Sequence, residues 1–479
     1  MGRIFRNLRV WAMGLAAMAL AGCAATGGPL GLSEAQEKAL GDQQHPQILA
    51  AFGGELKDPQ VNAYVEGIFQ RLMASDPTLP AMEIYVLDSP VINAMAVPGH
   101  IYVTRGLLAL ANSEAELAGV IGHEIGHNQK RHIAKRVSRS NLAQLGTVAA
   151  AILTGDARTA QAIGQGAQLY LLSYSRGQEY ESDLVGTRLL ADSGYEPLGA
   201  ARFLNTLGQW TNLEAQIAGV QEPPEYLKTH PNSANRVERA AAEANALRAA
   251  GASDEINRAA FLNAIDGLLY GDDPVTQGFI DERTFVHPQI GFSFSVPIGF
   301  ELRNSSSAVL ARSSSGAQMQ FTIANSNKAP AALINEDISR SLNVNLSPAR
   351  SGSINGRQAA VGRARANTQS GAVDVTAYAI RWDGAANYIF LWVTPANQTA
   401  QLGSAIEQSV ESLRAVSAGS VQIPPATRVD VVTAQPGDTA TSLSRYMAFP
   451  AYQIERFAIF NGLGTSPAVR AGERYKLAR

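Results

Sequence analysis

The sequence predicts a multidomain α+β protein: a mainly helical first half, an antiparallel-sheet region, and a small βααβ tail. Three observations carry this. The 479 residues are too many for one ordinary core. Apolar side chains recur at helical spacing through residue 250, and after residue 280 they alternate in the manner of strands. A hydrophobic content of 46% with 17% charged residues describes a globular chain, and a net charge of −2 gives no electrostatic footprint for nucleic acid.

Residues 1–22 read as a secretory signal. "MGRIFRNLRV" carries Arg3, Arg6 and Arg9 without an acid, and "WAMGLAAMAL" is an apolar run too short to span a bilayer. The segment ends in "LAGC", and Cys23 is the only cysteine of the chain. This ending resembles the lipobox of bacterial lipoproteins. The resemblance implies a lipid on Cys23 that tethers the mature chain to the membrane. With Ala24 in place of an aspartate, it implies the periplasmic face of the outer membrane of a Gram-negative bacterium. Losing the three arginines would move the net charge from −2 to −5.

Residues 23–44 are a tether and first helix. In "DPQVNAYVEGIFQRLMA", Val61, Tyr64, Val65, Ile68 and Leu72 fall at helical spacing. "MEIYVLDS" and "GHIYVTRG" alternate like strands around a turn-like "VPG". "SEAELAGVIGHEIGHNQKRHIAKRV" reads as one long helix opened by a capping box of Ser113 and Glu116. "LAQLGTVAAAILT" is apolar but too short to cross a membrane, and reads as a buried helix. Helices through "GQEYESDLVGTRLLADSGY" and "RVERAAAEANALRAA" complete a domain over 45–250, followed by a helical linker over 251–282. Strand-like stretches such as "FSFSVPIGFEL", "VDVTAYAIRW" and "YIFLWVTP", with a helix in "LGSAIEQSVESLRAV", define an accessory α/β domain over 283–418. After the Pro-rich "QIPPATR", residues 429–479 follow a strand, two short helices and a strand.

The chemistry concentrates in "AGVIGHEIGHNQKRH", which holds three of the seven histidines. His123 and His127 stand four apart, so on a helix their Cβ atoms lie about 5–6 Å apart on one face. Two imidazoles so placed can converge on one Zn²⁺ at about 2.0–2.1 Å. Glu124 falls on the flank, where it can accept a proton from a metal-bound water. A catalytic zinc needs a third protein ligand. "SRGQEYESD" offers Glu179 and Asp183, four apart, so that one can bind metal while the other braces a neighbour; Glu181 should face away. His132 should lie off the metal face in solvent, His100 should line a cleft or the surface, and His45 is structural.

At these motifs the chain resembles peptidase family M forty-eight, the zinc metalloproteases of the HtpX, BepA and CAAX-prenyl-endopeptidase type. "VINAMAVPGHIYVTRGLL" and "THPNSANR" match as well, and the resemblance runs from residue 33 to residue 250, nearest to a lipoprotein BepA-like branch. It implies a mainly helical zincin-type domain with one zinc on His123, His127 and Glu179. Ser182 stands where the family's E-x-E-A-D motif has alanine. The implied reaction is peptide hydrolysis with Glu124 as general base. His230 is then a candidate oxyanion donor or, in a closed state, a fourth zinc ligand. Arg236 is expected to pair with Asp183, and Asn93, Ala94, Met95, Ala96 and Val97 to hold an extended substrate as an edge strand. Substrates would be unfolded or misassembled envelope proteins. Rival readings are a chaperone-like outer-membrane assembly factor with secondary proteolysis, and a peptidoglycan-docked scaffold. The tail, through "PGDT", "SLSRY", "IERFAIFNGL" and "VRAGERYKLA", resembles a LysM module, which implies glycan binding. The region 283–418 resembles PsbP- or Mog-like domains.

Overall fold

The computed structural model describes residues 33–139, 173–218, 225–230, 234–305, 308–368, 371–464 and 466–479. The signal segment, Cys23 and the "LAQLGTVAAAILT" helix lie outside them. The described residues form two compact units, one over 272–426 and the other from 33–271 together with 427–479.

The larger unit opens with α1 (Glu34–Ala51), started by a reciprocal cap between Ser33 and Gln36. α2 (Pro59–Ser75) follows an Asp58 cap, and it buries Val61, Val65, Ile68, Phe69 and Leu72, the apolar face its spacing predicts. A three-stranded sheet comes next: β1 (Glu83–Leu87), β2 (Ala94–Val97) and β3 (His100–Thr104), in the order β1-β3-β2. β1 runs parallel to β3 and β2 antiparallel to it. The β2–β3 turn needs the left-handed φ of 83° at Gly99.

After the short α3 (Arg105–Leu110) comes α4 (Glu114–Gln129), whose residues from Glu114 to His127 are all buried. Ser113 caps its N-terminus through the N–H of Glu116, while the Glu116 carboxylate accepts from Asn112 N rather than closing the box on Ser113. The single long helix expected here is broken. α4 ends at Gln129, Arg131 takes φ 54°, and a separate α5 (His132–Arg139) begins. A non-glycine residue in that region is held by its surroundings. Here the Arg131 guanidinium is anchored on Glu37 of α1 at 2.5 and 2.8 Å. Next come α6 (Arg176–Asp192), α7 (Gly199–Ala218), the short α8 (Glu225–Thr229), α9 (Ala234–Ala249) and α10 (Arg258–Ile265).

A stripe of small residues lets α4 meet its neighbours backbone to backbone. A Cβ on Gly119 would lie 2.6 Å from Ala200 N of α7, and one on Gly126 2.9 Å from Ser182 Cα of α6. A Cβ on Gly186 of α6 would lie 2.8 Å from His123 N. Real side chains cannot occupy 126 or 186 without displacing α6 from α4, so glycine at these two positions sets the distance across which the site forms.

In the second unit the strands are antiparallel, as the sequence predicts. Four belong to one sheet, β4 (Phe279–Asp281), β5 (Thr284–His287), β6 (Phe292–Ser295) and the late β14 (Arg414–Ala415), in the order β14-β6-β5-β4. The others, β7 (Phe300–Asn304), β8 (Val309–Ser313), β9 (Gln318–Asn325), β10 (Arg350–Ile354), β11 (Arg357–Thr368), β12 (Gly371–Asp383) and β13 (Ala386–Pro395), form a sheet ordered β10-β11-β12-β13-β9-β8-β7. Both faces of this sheet are covered. Tyr388, Phe390 and Trp392 pack with Phe292, Phe294 and α11 (Thr399–Glu411), while Ile389, Leu391 and Val393 pack under the helical stretch 330–342.

The tail carries β15 (Val429–Thr433), α12 (Ala440–Ser444), α13 (Gln453–Phe460) and β16 (Arg474–Ala478), with β15 and β16 antiparallel. It shares the core of the larger unit: Phe457, Phe460, Tyr475 and Leu477 belong to one buried cluster with Leu107, Ile121 and Phe203.

Candidate metal centre

α4 presents His123 and His127 on one face, α6 brings Glu179 against them, and the residue after α8 brings His230. One ligand atom from each of His123, His127, Glu179 and His230 lies within 4.8 Å of the others, and all four residues are buried. The Nε2 atoms of His123 and His127 are 2.9 Å apart. Glu179 Oε1 is 3.5 Å from His127 Nε2, and Oε2 is 3.6 Å from His123 Nε2. His230 Nδ1 lies 3.2 Å from Glu179 Oε1 and 3.3 Å from His123 Nε2. Donors at about 2.0–2.1 Å from one tetrahedral ion stand roughly 3.3 Å from each other, which is the spacing found here.

Glu124 stands beside the cluster. Both its carboxylate oxygens are buried without a hydrogen-bond partner, and Oε1 is 3.5 Å from His230 Nε2. A buried carboxylate without a donor is costly, so this one suits a partner that comes with the ion and its water. Burial pushes its carboxyl above the usual range. At Glu179 burial acts in the same direction but is overcome by His230, His127 and His123, which hold the group well below its ordinary value. Burial also drives the His127 imidazole well below its ordinary value, leaving it neutral and able to ligate.

Asp183 and Arg236 meet behind the cluster. Asp183 Oδ1 is 2.9 Å from His123 Nδ1. Arg236 donates to both Asp183 oxygens, at 2.8 and 2.7 Å, and its Nη1 is 2.6 Å from Glu179 Oε2. The guanidinium thus holds a candidate ligand and the brace of a second one. The sequence reading included its contact with Asp183 but missed that with Glu179.

Two further residues are placed differently from the sequence reading. His132, expected in solvent, is fully buried, with its Nδ1 2.9 Å from Nδ1 of His127 and its Nε2 2.9 Å from Glu181 Oε2. The break at Arg131 turns α5 back toward α4. Its sequence signal is that no apolar side chain falls between Ile125 and Ile133. His100, expected to line a cleft or the surface, is buried against α1, its Nε2 2.9 Å from Asp42. Two aromatics also escaped notice: the Tyr174 ring stacks on His127 at 3.7 Å and Tyr226 on His230 at 4.5 Å. Ala94, Met95, Ala96 and Val97 form β2, an edge of its sheet among the described residues, with Asn93 just before it.

Residues 55–244 match Peptidase family M48, a metalloprotease class. Within that class the domain is similar to the beta-barrel assembly-enhancing proteases. The Yersinia pestis protein is 30% identical over 228 residues, covering 45% of this chain and 46% of that one. The Escherichia coli (strain K12) protein is 26% identical over 228 residues, 45% of each chain. The "Mitochondrial metalloendopeptidase OMA1" of Arabidopsis thaliana is 35% identical over 171 residues, 35% of this chain and 32% of that one. The matched stretch spans less than half the length of each of these relatives.

Proposed function

We propose that the chain is a zinc-dependent endopeptidase that hydrolyses peptide bonds of misfolded or stalled envelope proteins. The observation that carries this is the buried cluster of His123, His127 and Glu179 with Glu124 alongside it. Two imidazoles and a carboxylate suit zinc. His123, His127 and Glu179 would hold a zinc ion, which would supply Lewis acidity there. Glu124, its basicity raised by burial, takes the proton of the attacking water and passes it to the leaving amine. Arg236 and Asp183 keep Glu179 and His123 oriented. The substrate lies extended along the edge strand from Asn93 to Val97, bound through its backbone.

His230 closes the site in this arrangement, because its Nδ1 stands among the other three donors. Cleavage then requires His230 to leave the other donors, after which it serves as oxyanion donor. A lipid on Cys23 holds the protein at the periplasmic face of the outer membrane, and the tail docks peptidoglycan as a LysM-like module. A second reading, an outer-membrane assembly factor in which proteolysis is secondary, draws on the name of the beta-barrel assembly-enhancing relatives.

The test is a casein-type degradation assay on wild type and Glu124→Gln, with metal analysis of both. The variant should keep zinc and lose cleavage. A wild type that binds no zinc, or a variant that cleaves as well as wild type, would sink the enzymatic reading.

A further inference from the structure

His127 touches His132, which lies outside the HEXXH motif and the ligand set and in turn pairs with Glu181. We propose that His132 and Glu181 are positioning residues for the metal, a relay that fixes the tautomer and ring plane of His127 so that its Nε2 offers a lone pair to the ion. This rests on the reading of the cluster as a metal site.

Once His127 gives its Nε2 to the ion, the contacts favour one assignment of protons. The Nδ1 atoms of His127 and His132 are 2.9 Å apart, and both rings are buried. At that distance one proton must lie between them, since two lone pairs repel and two N–H groups clash. His127 faces the cluster with Nε2, 2.9 Å from Nε2 of His123, and to ligate there it must carry its proton on Nδ1. That N–H donates to His132 Nδ1. His132 therefore keeps its own proton on Nε2, which lies 2.9 Å from Glu181 Oε2 and donates to it. The reverse assignment puts a proton on the metal-facing Nε2 of His127 and turns a bare His132 nitrogen toward a carboxylate. Glu181 disfavours it.

The surroundings hold the relay in place. Gln178 Nε2 donates to the His132 main-chain oxygen at 3.2 Å, and Ser182 Oγ lies 3.4 Å from His132 Nδ1. Tyr174 stacks on the His127 ring. Arg131, whose backbone turns α5 toward the site, is anchored on Glu37. Both histidine donors of α4 thus end on a carboxylate. His123 reaches Asp183 directly, and His127 reaches Glu181 through His132. Outer partners of this kind contribute about 10- to 100-fold to metal affinity.

The experiment uses the full chain and measures zinc affinity by competition with a chromogenic chelator, and the visible spectrum after cobalt substitution. His132→Ala should weaken zinc binding about 10- to 100-fold and shift the cobalt bands. Glu181→Gln should weaken binding in the same direction. His132→Asn, whose Oδ1 can accept from His127 Nδ1–H, should restore most of the affinity and the wild-type bands. Glu238→Gln, an exposed acid on α9, should change neither. A wild type without zinc overturns the metal reading itself. A wild type that binds zinc, with His132→Ala binding equally tightly, overturns the relay alone, as does His132→Asn failing to rescue. Should metal-free His132→Ala lose its helical circular dichroism, Glu181→Gln decides. Its side chain is 52% exposed, and undiminished affinity in that variant rejects the relay.

Discussion

Lys476 of β16 holds the tail to the metalloprotease domain, and replacing it with methionine measures how far the two fold as one body. Its Nζ is buried and donates to Ala109, Leu110 and Ala111 carbonyls, at 2.7, 3.2 and 2.5 Å. These are the free carbonyls at the C-terminus of α3, where a cation is favoured. Burial pushes the lysine well below its ordinary value, yet three acceptors call for three N–H donors, so the ammonium form is the one bound. Lys476→Met keeps the length of the side chain and removes every donor. Each charge-assisted bond contributes about 1.5–3 kcal/mol, and relief from burying the charge offsets part of the loss. A net loss of about 2–4 kcal/mol follows, and at about 2–4 °C per kcal/mol the transition should fall by roughly 4–16 °C. The assay is scanning calorimetry of the full chain, with the relevant transition identified as the one that added zinc raises. A shift below about 2 °C, or one confined to the transition that zinc does not move, would refute the shared core.

Gly186→Ala would press a methyl against His123 N and move α6 off α4, so zinc affinity should fall and the zinc-linked transition drop by about 1–3 kcal/mol; chelator competition and calorimetry report both. Arg236→Ala leaves Asp183 and Glu179 buried without their cation and should cost about 3–5 kcal/mol, whereas Arg236→Lys, lacking the fork, should recover only part of it in urea titrations. In the sheet unit, the hydrogen bond from Arg365 holds the Asp374 carboxyl below its usual range. Because the folded value is depressed, the pair stabilises above the ordinary carboxylate range and its contribution is lost as pH falls through the folded value. Arg365→Ala should therefore lower stability modestly at neutral pH, flatten the acid limb, and converge with wild type at the acid end. The proposed glycan contact is best tested at the exposed Tyr446, since deleting residues 429–479 would also strip Phe457, Phe460, Tyr475 and Leu477 from the shared core. Tyr446→Ala should reduce peptidoglycan pull-down without moving the melting transition.

The parts of the site that sequence made legible are those that depend on local periodicity. His123 and His127, and likewise Glu179 and Asp183, stand four apart on helices, the first of them capped where Ser113 predicts, so each pair shares a face. Antiparallel strands were legible after residue 280 for the same reason, and the unbroken "YIFLWV" of β13 reflects burial on both faces. Distances between elements were not legible. Nothing in the sequence singles out Gly126 and Gly186, and only the packed structure shows that they let α4 and α6 meet closely enough for Glu179 to reach the histidines. Nor could spacing show that Phe457 and Tyr475 bury into a core begun by residues more than three hundred positions earlier, because an apolar face looks the same whichever partner covers it.

The break between α4 and α5 joins these two kinds of failure. Helical spacing carried past Gln129 sends His132 into solvent, whereas one residue at φ 54° returns it to within 2.9 Å of His127. Arginine has no intrinsic preference for that conformation, so the cause lies outside the local sequence. Glu37 of α1, whose carboxylate anchors the Arg131 guanidinium, is one such outside contact. A contact ninety-four residues away in sequence thus sits at the turn that gives His127 a hydrogen-bond partner for the nitrogen that faces away from the cluster. The first described helix is therefore coupled to the candidate metal centre through Arg131 and His132. Weakening the pair by Glu37→Gln should lower zinc affinity without altering a single candidate ligand, and unchanged affinity in that variant would show that α5 holds its place by packing alone.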